Sequence, residues 1–326
     1  MNRSELLALL GSMPLLGAAS QPLSEAPPYS VVHGWPVLPP GEVLGAVSGV
    51  DVDAGNRVHV FHRSGRLWPD SDVLDTTPIA RATITIFDGT TGRVIQRWGE
   101  NRFAMPHGLT VDADGNTFLT DVALQQVYKF SSNGTLVFAL GERSVSGNDA
   151  RHFNRPTAVA VLADGSFFVS DGYLNTRVMK FSRAGTFQFQ WGTKGSGPGE
   201  FDLPHDVFVK GDRVYVADRS NERIQVFDMH GQYVEQWRSS AIGRPYSVAL
   251  RGSRAYIADG GDQPPQPPDR SALVIADDHG GQPIRVGRFG NYDGQFEMAH
   301  DLAIGPDGAV YVGDITGGRI QKFVAS

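Results

Sequence analysis

The 326-residue chain contains no cysteine. That absence excludes disulfides, thiolate metal sites and cysteine nucleophiles, and it leaves the redox compartment open. No charge sign dominates either: 29 Lys and Arg face 35 Asp and Glu, for a net charge of -6. With no basic stripe, nucleic acid is not an expected partner. Long apolar runs are also missing. The N-terminal run in "MNRSELLALLGSMPLLGAAS" is broken by Gly11 and Pro14 and is too short to span a bilayer as a helix. Arg3 before it and the small residues Ala18, Ala19 and Ser20 after it have the layout of a secretory signal, against which stand Glu5 and Pro14. The expectation is a signal peptide and linker over residues 1–27 and an exported protein, periplasmic or extracellular. The alternative is a short tail on a cytoplasmic protein.

What the chain does contain is a repeat. Blocks begin near Val47, Pro106, Pro156, Pro204, Pro245 and Ala299. Each has an alternating apolar run, a turn with Asp, Gly or Asn, a second run ending in Asp, and a third run such as "VYKF", "VMKF" or "IQVF". A fourth run closes several blocks at "RWG", "ALG" and "QWG". Period-2 alternation broken by Asp-Gly turns predicts short antiparallel strands. Four strands per block and six blocks predict an all-β, six-bladed β-propeller. The sixth block ends at Ser326 without an outer strand, and "YSVVHGWPVLP" (Tyr29 to Pro39) precedes the first block without a blade of its own. An N-terminal strand is therefore expected to close the ring and cover the open edges. One domain, residues 28–326, is expected to behave as a monomer. Leu67 to Ala82 reads as a loop inside the first blade, and the Pro-rich Gly260 to Ser271 as one inside the fifth.

Residues that recur in the blades are architectural. Asp121, Asp171, Asp218, Asp259 and Asp314 end the second strands, where their carboxylates are expected to accept from turn amides. Function should lie with residues that break the repeat. Aligned first strands place Ser48, His107, Thr157, His205, Tyr246 and His300 at one height. The histidines fall in alternate blades, so three imidazoles should converge on the channel axis from three sides. Three His with an open fourth position suit catalytic zinc. The plainer alternative is three unrelated channel histidines bonding water or backbone. His33, His59, His62, His152, His230 and His279 form no such set. Just beyond the second strands, Arg63, Tyr173 and Arg219 should rim the same mouth, and arginine suits a planar carboxylate. For Arg219 a salt bridge within "ADRSNERIQVF" is the competing reading.

The segments "VSGVDVDAGNRVHVFHRSGRLW", "MPHGLTVD", "VSDGYLNTRVMKFS", "LPHDV", "VADRSNERIQVF" and "AHDL" resemble the NHL-repeat core of peptidyl-α-hydroxyglycine α-amidating lyase. The resemblance implies a metal-dependent lyase that cleaves a hemiaminal C–N bond to give an amide and glyoxylate. It implies a zinc on His107, His205 and His300, with Tyr173, Arg63 and Arg219 catalytic. It also implies a structural calcium on Asp301 and the carbonyls of Val50 and Leu109, a hard-oxygen set. The substrate would be a peptide or small molecule with a free carboxylate. In this role Tyr173 takes the hydroxyl proton and the arginines hold the carboxylate.

The sequence departs from that family in two ways. The animal enzymes carry a disulfide beside the active-site tyrosine, whereas Leu174 follows Tyr173 here. No segment resembles the copper monooxygenase that makes the hydroxyglycine, so the expected substrate is either made elsewhere or another hemiaminal. Two other readings compete: a non-catalytic NHL propeller that binds peptide or protein, and another propeller enzyme, such as a lactonase-type hydrolase or a streptogramin-type lyase.

Overall fold

The computed structural model describes residues 29–261 and 270–326. The expected signal segment, residues 1–27, and most of the expected Pro-rich loop lie outside the described residues. Six four-stranded antiparallel sheets follow one another along the chain. Their inner strands are Val47–Val52, Pro106–Val111, Pro156–Val161, Pro204–Lys210, Pro245–Arg251 and Ala299–Ile304. Each inner strand packs on the next, and the sixth returns to the first. This is the expected propeller. The ring closes as the sequence predicts. Tyr29–Val31 pairs antiparallel with Arg319–Ala325, Tyr29 opposite Ala325, and supplies the outer strand of the sixth blade.

Six apolar clusters form the core, one between each pair of neighbouring blades. This arrangement modifies the expected alternation. Middle strands such as Phe167–Asp171 are buried along their whole length, because blades stack on both faces. Alternation survives in outer strands such as Phe187–Trp191, where one face meets water.

The recurring aspartates are buried, and each ties its second strand to the loop that enters its own blade. Asp121 accepts from the amides of Ala104, Met105, Ala123 and Leu124. In blades three, four and six an arginine at the start of the third strand joins the carboxylate. Arg223 Nε lies 2.7 Å from Asp218, and its other nitrogens donate to the carbonyls of Ser196, Gly197 and Glu200. Arg177 and Arg319 approach Asp171 and Asp314 in the same way.

Every inner strand carries a β-bulge at its second position, between Pro204 and Asp206 for example. The position that bears histidine in alternate blades is therefore the unpaired residue of a bulge, a device that re-aims a side chain.

Candidate metal centre and its mouth

His107, His205 and His300 meet on the axis. Their ring centroids are 4.7, 4.8 and 4.9 Å apart, close to an equilateral triangle. Each ring is anchored by the next blade. His107 Nδ1 lies 2.8 Å from the Thr157 carbonyl, His205 Nδ1 2.7 Å from that of Tyr246, and His300 Nδ1 2.9 Å from that of Ser48. A carbonyl only accepts, so each Nδ1 carries the hydrogen and each Nε2 presents a lone pair to the axis. Gly108 makes one of these anchors possible: a Cβ there would stand 2.4 Å from the Thr157 oxygen.

The imidazoles are kept neutral. Burial, then Arg63, pushes His107 down to about 3. Burial first, and then the neighbouring histidines, holds His205 and His300 well below the ordinary range. The Nε2 atoms of His205 and His300 are buried with no partner among the described residues. That of His107 lies 3.1 Å from the Tyr173 hydroxyl. One ligand atom from each histidine falls within 4.8 Å of the others. Three neutral imidazoles with inward lone pairs, two of them orphaned, are a donor set that fits a metal ion.

Tyr173 stands on one side of this plane. It follows Gly172, where a Cβ would meet the Pro204 carbonyl oxygen at 1.8 Å, so glycine alone lets blade three approach blade four here. Arg63 is buried, with Nε donating to the Pro106 carbonyl at 3.1 Å and Nη2 left without a partner among the described residues. Arg219 opens a short 3-10 turn, Arg219–Asn221, and its guanidinium lies 4.1 Å from the centre of the Tyr246 ring. The ion pair with Asp218 is made by Arg223 instead, which leaves Arg219 at the mouth. His62 faces into its own blade and reaches Thr85 and Ser64 rather than Arg63.

Below the histidines the channel widens into a cavity of about 450 Å³. Asp51, Asp206 and Asp301 line it. Asp301 accepts from the Val50 amide of the next blade at 2.8 Å, and Asp51 from the Val111 amide at 2.7 Å. In a strand the N–H and C=O of one residue share an edge. The Val50 carbonyl therefore lies on the inner edge, as does that of Leu109, two residues before Val111. The inner edges of the first and second blades and the Asp301 carboxylate thus present oxygens to one channel, which fits a hard cation. Burial, and next the adjacent Asp206, raises Asp301 well above the carboxylate range, as expected of an uncompensated anion.

One site residue escaped the sequence reading. Trp68, in the first-blade loop, stacks on Tyr173 with ring centres 5.1 Å apart and planes at 29°. A Trp inside an apparently irregular loop carries no repeat signal, and its partners are distant in the chain.

Comparison with known proteins bears on both fold and site. The DUF5128 family model, described as a 6-bladed β-propeller, matches residues 148–242. A probable peptidyl-α-hydroxyglycine α-amidating lyase of Caenorhabditis elegans is 31% identical, over 94% of this chain and 92% of its own length. Peptidyl-α-hydroxyglycine α-amidating lyase 1 of Drosophila melanogaster is 34% identical, over 91% and 60%. Peptidyl-glycine α-amidating monooxygenase B of Xenopus laevis is 38% identical over 87% of this chain, which spans 34% of that longer protein. Among solved structures, a streptogramin B lyase superposes with a TM-score of 0.56 at 14% identity, covering 91% of this chain and 98% of its own. A gluconolactonase from Xanthomonas campestris gives 0.60 at 12%, covering 93% and 96%. At such identities these two share the fold alone.

Proposed function

The chain belongs to the peptidyl-α-hydroxyglycine α-amidating lyase family, and on that premise we propose that it cleaves the C–N bond of a peptidyl- or acyl-α-hydroxyglycine, giving the amide and glyoxylate. The observation that carries this reading is the convergence of three axis-facing imidazoles with Tyr173 3.1 Å from one of them. A scaffold propeller has no use for buried, orphaned imidazole nitrogens at its centre.

A zinc ion on His107, His205 and His300 would supply Lewis acidity at the substrate hydroxyl. The protein's own groups carry the remaining steps. Arg63 and Arg219 bind the carboxylate and orient the reacting carbon. The unpaired Arg63 Nη2 is a buried donor whose desolvation is offset when that anion arrives. The Tyr173 phenolic oxygen accepts the hydroxyl proton. The O–H electron pair becomes the new C=O of glyoxylate, and the C–N pair leaves with nitrogen. Tyr173 then returns the proton to that nitrogen, so the cycle consumes none. Asp301 and the carbonyls of Val50 and Leu109 would hold calcium in a structural role.

Glyoxylate release from α-hydroxyhippurate by zinc-loaded protein tests the reading. Wild type should release it, and Tyr173→Phe should be slower by about 10²- to 10⁴-fold with its metal retained. A zinc-loaded wild type that releases none returns the chain to the binding-propeller reading. An active wild type with an equally active Tyr173→Phe keeps the reaction and discards this base.

A further inference from the structure

We propose that Trp68 is a positioning residue, and that the first-blade loop carrying it is a strap which crosses the mouth and fixes Tyr173 and Arg63 in their reactive places. The inference rests on the lyase reading and adds a residue that acts through the base and the carboxylate-binding arginine.

The Trp68 ring is the common neighbour of two site groups and of Arg155. Tyr173 stacks on it at 5.1 Å. The Arg63 guanidinium lies 5.4 Å from its centre and that of Arg155 5.7 Å. The strap is held at several points. Arg66, at its start, donates to the carbonyls of Thr77 and Ala104 and pairs with Asp75 at 3.2 Å. Trp68 Nε1 donates to Asp72 Oδ1 at 3.2 Å. The same oxygen accepts from Arg155 Nη1 at 2.7 Å, while Arg155 Nη2 donates to the Asp72 carbonyl at 2.8 Å. Arg155 comes from the loop entering blade three, and its own carbonyl faces the Tyr173 amide at 3.5 Å. The Asp72–Arg155 pair is thus a latch between the first-blade strap and the blade that bears Tyr173. Trp68, Leu74 and Tyr173 all pack on the cluster between blades one and two, so the strap has an apolar footing beneath its polar latch.

The chemistry explains why a flat aromatic ring belongs there. A phenol that must receive and return a proton cannot swing between rotamers, and a face-on indole removes that freedom without competing for its oxygen. The same ring attracts a guanidinium through its quadrupole, which steadies Arg63 while leaving Nη2 free for substrate. Misplacing a catalytic group by about 1 Å costs on the order of 10²-fold in rate.

The test compares Trp68→Leu, Trp68→Phe and Asp72→Ala with wild type, each with zinc content and melting temperature measured. Trp68→Leu keeps apolar bulk but loses the ring. It should lose on the order of 10²-fold in kcat at unchanged zinc content. Trp68→Phe should recover most of that loss, and Asp72→Ala should fall between. A second measurement does not depend on turnover. In protein labelled with 3-fluorotyrosine, the Tyr173 signal, identified by its absence in Tyr173→Phe, should shift when the indole is removed. An inactive wild type would reject the lyase reading, while the fluorine signal would still decide the stacking. The inference is overturned by a Trp68→Leu with wild-type kcat, by a Phe variant no better than Leu, by a loss that merely tracks lost zinc or fold, or by an unmoved Tyr173 signal.

Discussion

His62 shows how a single buried residue adds to the acid sensitivity of the fold. It occupies the position where the other five blades have aspartate, and it bonds Thr85 Oγ1 at 2.9 Å. Burial, assisted by Arg97 and Arg81, lowers its pKa to about 4 against 6.5 for a free histidine. Between those values the unfolded chain binds a proton that the folded chain refuses. Stability therefore rises with pH across the window and falls as pH drops from about 6.5 towards 4. The loss amounts to roughly 3 kcal/mol when complete. His62→Gln should weaken, by its own share, the pH dependence of the melting temperature between these limits. A variant as acid-sensitive as wild type would assign that sensitivity to other groups.

At the scale of the element, three residues hold the ring shut. Tyr29 is 6% exposed and packs edge-to-face on Tyr256, with the two hydroxyls 2.9 Å apart. Its neighbour Ser30 faces solvent, its hydroxyl 2.7 Å from Ser326 Oγ. Denaturant unfolding should separate the two. Tyr29→Ala should cost about 3 kcal/mol or more and Tyr29→Phe about 1 kcal/mol, with Ser30→Ala near neutral. A neutral Tyr29→Ala would mean that the closing strand frays without consequence for the ring. The bulge matters at the same scale. In a regular strand the residue after a channel-facing histidine would point away from the axis, yet His300 and Asp301 both line the channel cavity. The bulge between Ala299 and Asp301 accounts for this double exposure.

The whole molecule is polarised along its axis. Arg63, Arg219 and Tyr173 lie outside the cavity below the histidines, which is lined by Asp51, Asp206 and Asp301 with Arg251 as its one cation among the described residues. An anionic substrate suits the first group and a cation the second. If calcium occupies the Asp301 site, it ties the first, second and sixth blades together across the seam between the first and last blades. Calcium added to chelated protein should then raise the melting temperature, by about 2.7 kcal/mol of stability at a hundredfold excess over Kd. Asp301→Asn should abolish the rise, and Asp149→Asn, at an exposed position, should not. Equal melting with and without calcium would remove the structural role.

The order of the chain alone determined the ring. Six blocks with turn residues at matching offsets repeat one local solution, and local periodicity is carried by neighbours in sequence. It also determined the height of the three histidines, because equivalent positions in a closed ring are related by rotation. The tertiary structure decided how those positions are used. The Nδ1 anchors of the histidines are carbonyls of the next blade, the pairing of Asp218 with Arg223 rather than Arg219 is a matter of side-chain direction, and Trp68 reaches Tyr173 across blades. The anchors and the Asp–Arg pairs recur from blade to blade, but the Trp68 contact has no period to betray it. The anchors and the Trp68 contact depend on the gap between stacked sheets, a distance that no single block encodes and that exists only once the ring has closed.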